Sequence, residues 1–133
     1  MSALLNAIAS HLESEGVGET GKSLFVNFVA NDLPGVLLRE QFGGMRYDHE
    51  LPGYYKGSFM LITRAHGYEA SQELMNRAVL ALWNIATVKI DGLLFHYARP
   101  RSKPFAYAPS LGQNNEFHTT IDVIYVDTSE SKR

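Results

Sequence analysis

The chain has no cysteine, so neither a disulfide nor a thiolate zinc site can contribute to its stability. It also lacks an apolar run approaching the roughly 18 residues that cross a bilayer as a helix. Its first residues, Met1-Ser-Ala-Leu-Leu5, lack the basic start of a secretory signal. A protein made and used in solution, with no membrane partner, is expected. Charge of one sign is missing too. The 12 Lys and Arg against 14 Asp and Glu leave a formal charge of −2, which provides no whole-chain attraction to nucleic acid or lipid. The five histidines, at positions 11, 49, 66, 96 and 118, fall in five separate segments without the close spacing of a helical metal site. No serine stands in a G-x-S-x-G elbow. Asp48-His49-Glu50 is the nearest thing to a polar cluster, but three consecutive residues on one loop cannot all aim at one atom. No enzyme activity, metal or cofactor is expected.

At 133 residues the chain is one domain of ordinary size, able to fold without staples. We place that domain at residues 1–127, with 128–133 as a short polar tail. Leu4, Leu5, Ile8 and Leu12 recur at steps of three and four and predict a helix over Ser2 to Glu15. Leu24 to Val29 is β-branched and aromatic and reads as a strand. Leu33-Pro34-Gly35 then has the order of a type II turn leading to a partner strand, Val36 to Phe42, which makes a hairpin. Lys56 to His66 is apolar on both alternating faces around Phe59 to Ile62, as a central strand would be. Between Glu69 and Ala86 the period changes. Leu74, Ala78, Leu82 and Ile85 line one face of a second helix, widened by Met75, Val79 and Trp83 as core filler. Asp91-Gly92 marks a tight turn before a strand from Leu93 to Arg99. In the last strand, Phe117 to Val126, Phe117, Thr119, Ile121, Val123 and Tyr125 share one face. The expected fold class is α+β: a mainly antiparallel sheet of four to five strands, two helices packed on one face, and extended loops or hairpins.

One motif demands a decision. Gly16-Val-Gly-Glu-Thr-Gly-Lys-Ser23 matches the phosphate-loop pattern G-x-x-x-x-G-K-[ST] at every position. A phosphate loop works because a strand delivers the turn to a helix N-terminus, whose unpaired N–H groups and dipole cradle the phosphates. Here a helix precedes the loop and a strand follows it, so the segment is expected to be a structural elbow. A nucleotide-binding protein remains the alternative.

Two further segments invite contact with a partner. Gly43 to Tyr55 is too polar and glycine-rich for a core element yet carries Met45, Arg46, Tyr47, Tyr54 and Tyr55. It reads as a long exposed loop, folded over its own domain or touching a neighbour. Pro100 to Leu111 is an extended, proline-spaced connection, with one short strand around Phe105 to Ala108. In and beside it, Arg99, Arg101 and Lys103 are followed by Phe105 and Tyr107, a grouping that suits a protein interface or the backbone of a nucleic acid.

The order of elements is helix, glycine-rich elbow, Lys22-Ser-Leu-Phe25 strand, Leu33-Pro-Gly35 turn, long strand ending near Arg64, and the Ser71-Gln-Glu-Leu-Met-Asn-Arg-Ala78 helix. This arrangement resembles the tail-terminator, or tail-completion, proteins of long-tailed bacteriophages across residues 1 to about 126. The resemblance implies a virion protein assembled in the host cytoplasm as a ring, usually six-fold, at the head-proximal end of the tail tube. Its implied partners are further copies of itself, the major tail tube protein, a head-completion or connector protein, and viral DNA threading the lumen without sequence recognition. Another head–tail connector component is the near alternative. No residue role carries over. The ten residues named above, Met45, Arg46, Tyr47, Tyr54, Tyr55, Arg99, Arg101, Lys103, Phe105 and Tyr107, are therefore the expected assembly interface on physical grounds alone.

Overall fold

A computed structural model describes residues 3–27, 34–40, 46–47, 54–107 and 114–127. Its elements run α1 (Ala3–Ser14), β1 (Leu24–Val26), β2 (Gly35–Glu40), β3 (Arg46–Tyr47), β4 (Tyr54–His66), α2 (Tyr68–Trp83), β5 (Ala86–Ile90), β6 (Leu93–Pro100), β7 (Phe105–Tyr107) and β8 (Asn114–Asp127). The class is α+β as expected, but among the described residues the sheet has eight strands rather than four or five.

The frame of the sheet is the antiparallel pair β4 and β8, of 13 and 14 residues, in register from Tyr54 opposite Val126 to His66 opposite Asn114. At about 3.3 Å per residue this pair is long enough for two short strands to lie end to end along each side of it. Beside β4 run β2, with Gly35 opposite Arg64, and β3, with Tyr47 opposite Tyr55. Beside β8 run β6, with Pro100 opposite Ile121, and β7, with Phe105 opposite His118. β1 and β5 form the outer ends of the order β1-β2-β4-β8-β6-β5.

Three departures from the sequence reading have local causes. The expected hairpin of the first two strands does not form: β1 pairs with β2 in parallel, Leu24 opposite Val36 and Val26 opposite Leu38. Asn27 takes a left-handed backbone at φ 57° and ends β1 at Val26, its amide donating to the Leu38 carbonyl and its side chain accepting from the Glu40 amide. β5 was missed because Ile85, fully buried, continues the phase of α2, although the helix stops at Trp83 with Asn84 as its C-cap. Asp91 and Gly92, at φ 51° and 84°, then make the two-residue hairpin turn whose twist suits the flanking strands. Finally, part of the expected loop from Gly43 to Tyr55 is sheet, since β3 and the first residues of β4 pair with each other.

Both helices lie on one face of the sheet. The Thr63 hydroxyl on β4 donates to the Ser71 carbonyl of α2 at 3.1 Å, and the Ser71 hydroxyl donates to the Thr63 carbonyl at 3.3 Å, so each buried hydroxyl is satisfied by the other residue's backbone. The alternate residues of β8 foreseen from its period of two, Phe117 to Tyr125, all point into this core with Phe59, Leu61 and Phe95. Helix α1 touches β1 and β2 at one end of the sheet and β5 at the other, as well as α2. The sheet is therefore curled around it, aided by a bulge where His96 adds a residue to β6 between Phe95 and Tyr97. Being enclosed on several sides explains why Ala7 and Ala9 are as buried as Leu5 and Ile8, a wider stripe than one sheet face needs.

Candidate functional site

The phosphate-loop look-alike is a closed turn. The Glu19 carbonyl accepts from the amides of Lys22, Ser23 and Leu24, at 3.0, 2.9 and 3.1 Å. The Gly21 amide donates to the Leu24 carbonyl at 2.9 Å. The Glu19 amide donates to the Ser23 hydroxyl at 2.9 Å and the Thr20 amide to the Glu13 carboxylate at 3.0 Å. These are the groups that would face a phosphate, and each is already spent on an internal acceptor. Lys22 reaches Glu19 at 3.5 Å, both side chains largely in solvent. β1 follows directly, with no helix N-terminus behind the loop.

The ten expected interface residues separate into groups. Met45 lies outside the described residues. Arg46 and Tyr47 form β3 opposite Lys56 and Tyr55, and Tyr54 opens β4 opposite Val126. Tyr55 is not an exposed anchor: it is 9% exposed and stacks on Tyr125 with ring centroids 5.1 Å apart, within the core under the helices. Its position in β4 decides this, because Tyr55 shares the inward parity of Phe59 and Leu61. Arg99 lays its guanidinium over the Trp83 ring at 4.1 Å from the centroid. Arg101 pairs with Asp122 at 2.7 Å, and that bond, then the carboxylate charge, raises its already high pKa further. Lys103 is exposed in the connection between β6 and β7. Phe105 is 47% exposed on β7, 6.0 Å from the His118 ring, and Tyr107 ends the strand opposite Glu116.

Of these positions Arg101 and Phe105 lie on the sheet face away from the helices, whereas Tyr55 and the Arg99 guanidinium lie on the helix side. Across the outer face, Leu37, Ile62, His118 and Phe105 form one cross-strand row. In the next row Arg64 donates from Nε to Glu116 at 2.7 Å, and His118 Nε2 lies 3.1 Å from the other carboxylate oxygen. Burial pushes the Glu116 carboxyl up, but the bonds from His118 and Arg64 outweigh it and hold the pKa below the ordinary value. Further along, Lys56, Ser58, Tyr97, Arg101, Asp122 and Ile124 line a shallow hollow of about 360 Å³. Among the described residues no group of three or more His, Asp or Glu could hold a metal ion, and no helix is long and apolar enough to cross a membrane.

A second surface went unforeseen. Leu80 and Trp83 on α2 are 65% and 50% exposed, so Trp83 is not core filler. The signal was present in the sequence: at about 100° per residue Trp83 sits far around the helix from Ala78 and Leu82. Nominal hydrophobicity outweighed phase.

The fold thus defines a class: a curled, mostly antiparallel sheet with two helices on its inner side and a polar, partly apolar outer face. No protein-family model matches the chain, and no curated protein matches its sequence. Among solved structures, it is similar to a chain from the virion of a native gene transfer agent particle, with a TM-score of 0.61 over 93% of this chain and 95% of that one, at 13% identity. At that identity the likeness establishes a shared fold.

Proposed function

We propose that this chain is a structural subunit of a phage-like virion, and more narrowly a tail terminator that forms a ring, most simply a hexamer, on the head-proximal end of the tail tube. One observation carries the broader reading: the fold agrees over almost the full length of both chains with a component of a virion particle. The narrower reading draws on the order of elements and on an outer sheet face that presents exposed Arg39, Arg101 and Phe105 beside half-buried Tyr97, Arg and aromatic residues being enriched at protein interfaces. Arg101, Lys103 and Phe105 contribute contacts to neighbouring copies, the tube protein or the head-completion protein, and DNA passes through the central opening. The reading assigns no catalytic step and no cofactor.

Native mass spectrometry of the purified protein with ATP and magnesium present tests it. A closed ring without nucleotide is expected. A nucleotide-loaded species overturns the reading, as does a chain that stays monomeric even with preformed tail tubes.

A further inference from the structure

Two surfaces of the subunit, the outward side of the helices and the outer face of the sheet, carry opposite charge and each presents apolar groups. They meet at one edge, where the Arg99 guanidinium lies 4.1 Å from the Trp83 ring centroid and 6.0 Å from that of Tyr97. At about 100° per residue, Glu69, Glu73, Leu80 and Trp83 fall along one side of α2, turned away from the buried Met75, Ala78 and Leu82. All four are exposed. The adjoining end of α1 and the elbow add Glu13, Glu15 and Glu19, opposed by Lys22 and Arg77. This helix layer is acidic around a leucine and a tryptophan, except that the Arg99 guanidinium of β6 covers one face of Trp83. Half of Trp83 and about two-thirds of Leu80 stay in water in the monomer, and apolar surface of this kind rimmed by charge marks a contact.

On the outer face of the sheet the signs reverse. Arg39, Lys56 and Arg101 are exposed there, with half-buried Met60, Tyr97 and Ile124 beside them. The register places Arg39 opposite Met60, and Lys56 opposite Ile124, which in turn faces Tyr97. Two carboxylates described on this face are engaged locally, Asp122 by Arg101 and Glu116 by Arg64.

We propose that the outward stripe of α2 in one copy docks on the outer sheet face of a second copy, with Glu69 and Glu73 against Arg39 and Lys56, and Leu80 and Trp83 against the Met60, Tyr97 and Ile124 surface. Because the patches differ and their charged ends sit on different layers, Glu69 and Glu73 on the helices and Arg39 and Lys56 on the outer sheet face, the contact is heterologous. It repeats head to tail and closes into a ring when the rotation per subunit allows. The inference rests on the ring reading for that closure, and it names a partner surface, α2, that the ring reading does not. A basic face also attracts a phosphate backbone. The apolar groups and the two carboxylates on the sheet face favour a protein partner, and Trp83 is of the residue type that most often anchors such contacts.

Charge exchange provides the test. One variant carries Glu69→Lys and Glu73→Lys; a second carries Arg39→Glu and Lys56→Glu. Each alone is expected to associate on the order of tenfold or more weakly than the parent protein, since like charges then face one another. A 1:1 mixture restores assembly, with the two variants alternating and an even number of subunits in native mass spectra. The mixture also controls for misfolding, because an unfolded variant cannot be rescued by its complement. If circular dichroism shows either variant unfolded, the neutral versions, Glu69→Gln with Glu73→Gln and Arg39→Gln with Lys56→Gln, are compared for lost salt dependence of assembly. Variants that assemble as the parent does, or folded variants that fail to rescue one another, overturn this contact while leaving a parental ring intact. A parental chain that never self-associates overturns both readings. Retention of duplex DNA by the parent, lost in the Arg39→Glu, Lys56→Glu variant with assembly unchanged, assigns the face to nucleic acid and overturns the proposal.

Discussion

The two faces of the central strand pair use the same backbone for different ends. On the inner face Phe59, Leu61, Ile121, Val123 and Phe95 pack under the helices and are almost wholly removed from water. One residue along each strand, the outer face presents Lys56, Met60, Arg64, Thr120 and Asp122, a mixture of ion pairs and half-exposed apolar groups. A period of two thus lets one strand stabilise the monomer and offer contact surface at once. Substitutions on the inner face should unfold the protein, whereas those at outer positions open to solvent, such as Lys56, should alter what it touches; Leu37, Ile62 and His118 are outer-face positions that are buried.

The largest effect tests that division directly. Phe95→Ala should cost about 3–5 kcal/mol, read as a lower urea midpoint, whereas Met60→Ala on the outer face should cost about 1 kcal/mol or less. Equal losses would mean that the outer face is a second core. Next comes the edge at β1 and β2. Gly35 has φ 144°, and a Cβ there would collide with the backbone carbonyl of Ser23, so Gly35→Ala should cost about 1–3 kcal/mol in thermal melts. A neutral result would show that the parallel pairing is not rigid.

A smaller effect concerns the ion pairs of the outer face. The Glu116 pKa lies below its ordinary value of 4.5 in the folded protein. Its contribution is therefore fully present above that value and lost as pH falls through the lowered one. Glu116→Gln should cost about 1–2 kcal/mol near neutral pH. Melting temperatures of parent and variant should converge below pH 4.5. A gap independent of pH would show that the carboxylate charge plays no part. The smallest effect is expected at Trp83. With half its surface in water, Trp83→Ala should change monomer stability by about 1 kcal/mol or less, most of it the lost contact with Arg99.

Legibility from sequence followed the regularity of the pattern. The stripe of α1, the alternation of β8, the long central strand and the Asp91-Gly92 turn each repeat one physical preference over several residues and were read correctly. The elbow at Gly16 to Ser23 was also legible, because the order of its flanking elements contradicted its motif. Tyr55 and Trp83 were misplaced in opposite directions. Tyr55 was judged by the polar company of its loop although it is the second residue of β4, and Trp83 by its hydrophobicity although its helical phase points outward. Of the expected interface, Arg101, Lys103 and Phe105 do stand exposed, but nothing in their spacing indicated that Arg101 would meet Asp122 across a strand pair.

By itself the sequence determined the class of the fold, the inward face of its last strand, the two helices and the helix-to-strand order around the glycine-rich elbow. These follow from local periodicity and turn chemistry, which act between residues a few positions apart. Only the tertiary structure decided the parallel pairing of β1 with β2, the end-to-end strands flanking β4 and β8, and the curl that wraps the sheet around α1. It also decided the division of charge between helix layer and outer sheet face. Those features depend on which distant segments share hydrogen bonds and a core, and the pattern of any single segment carries no record of that choice.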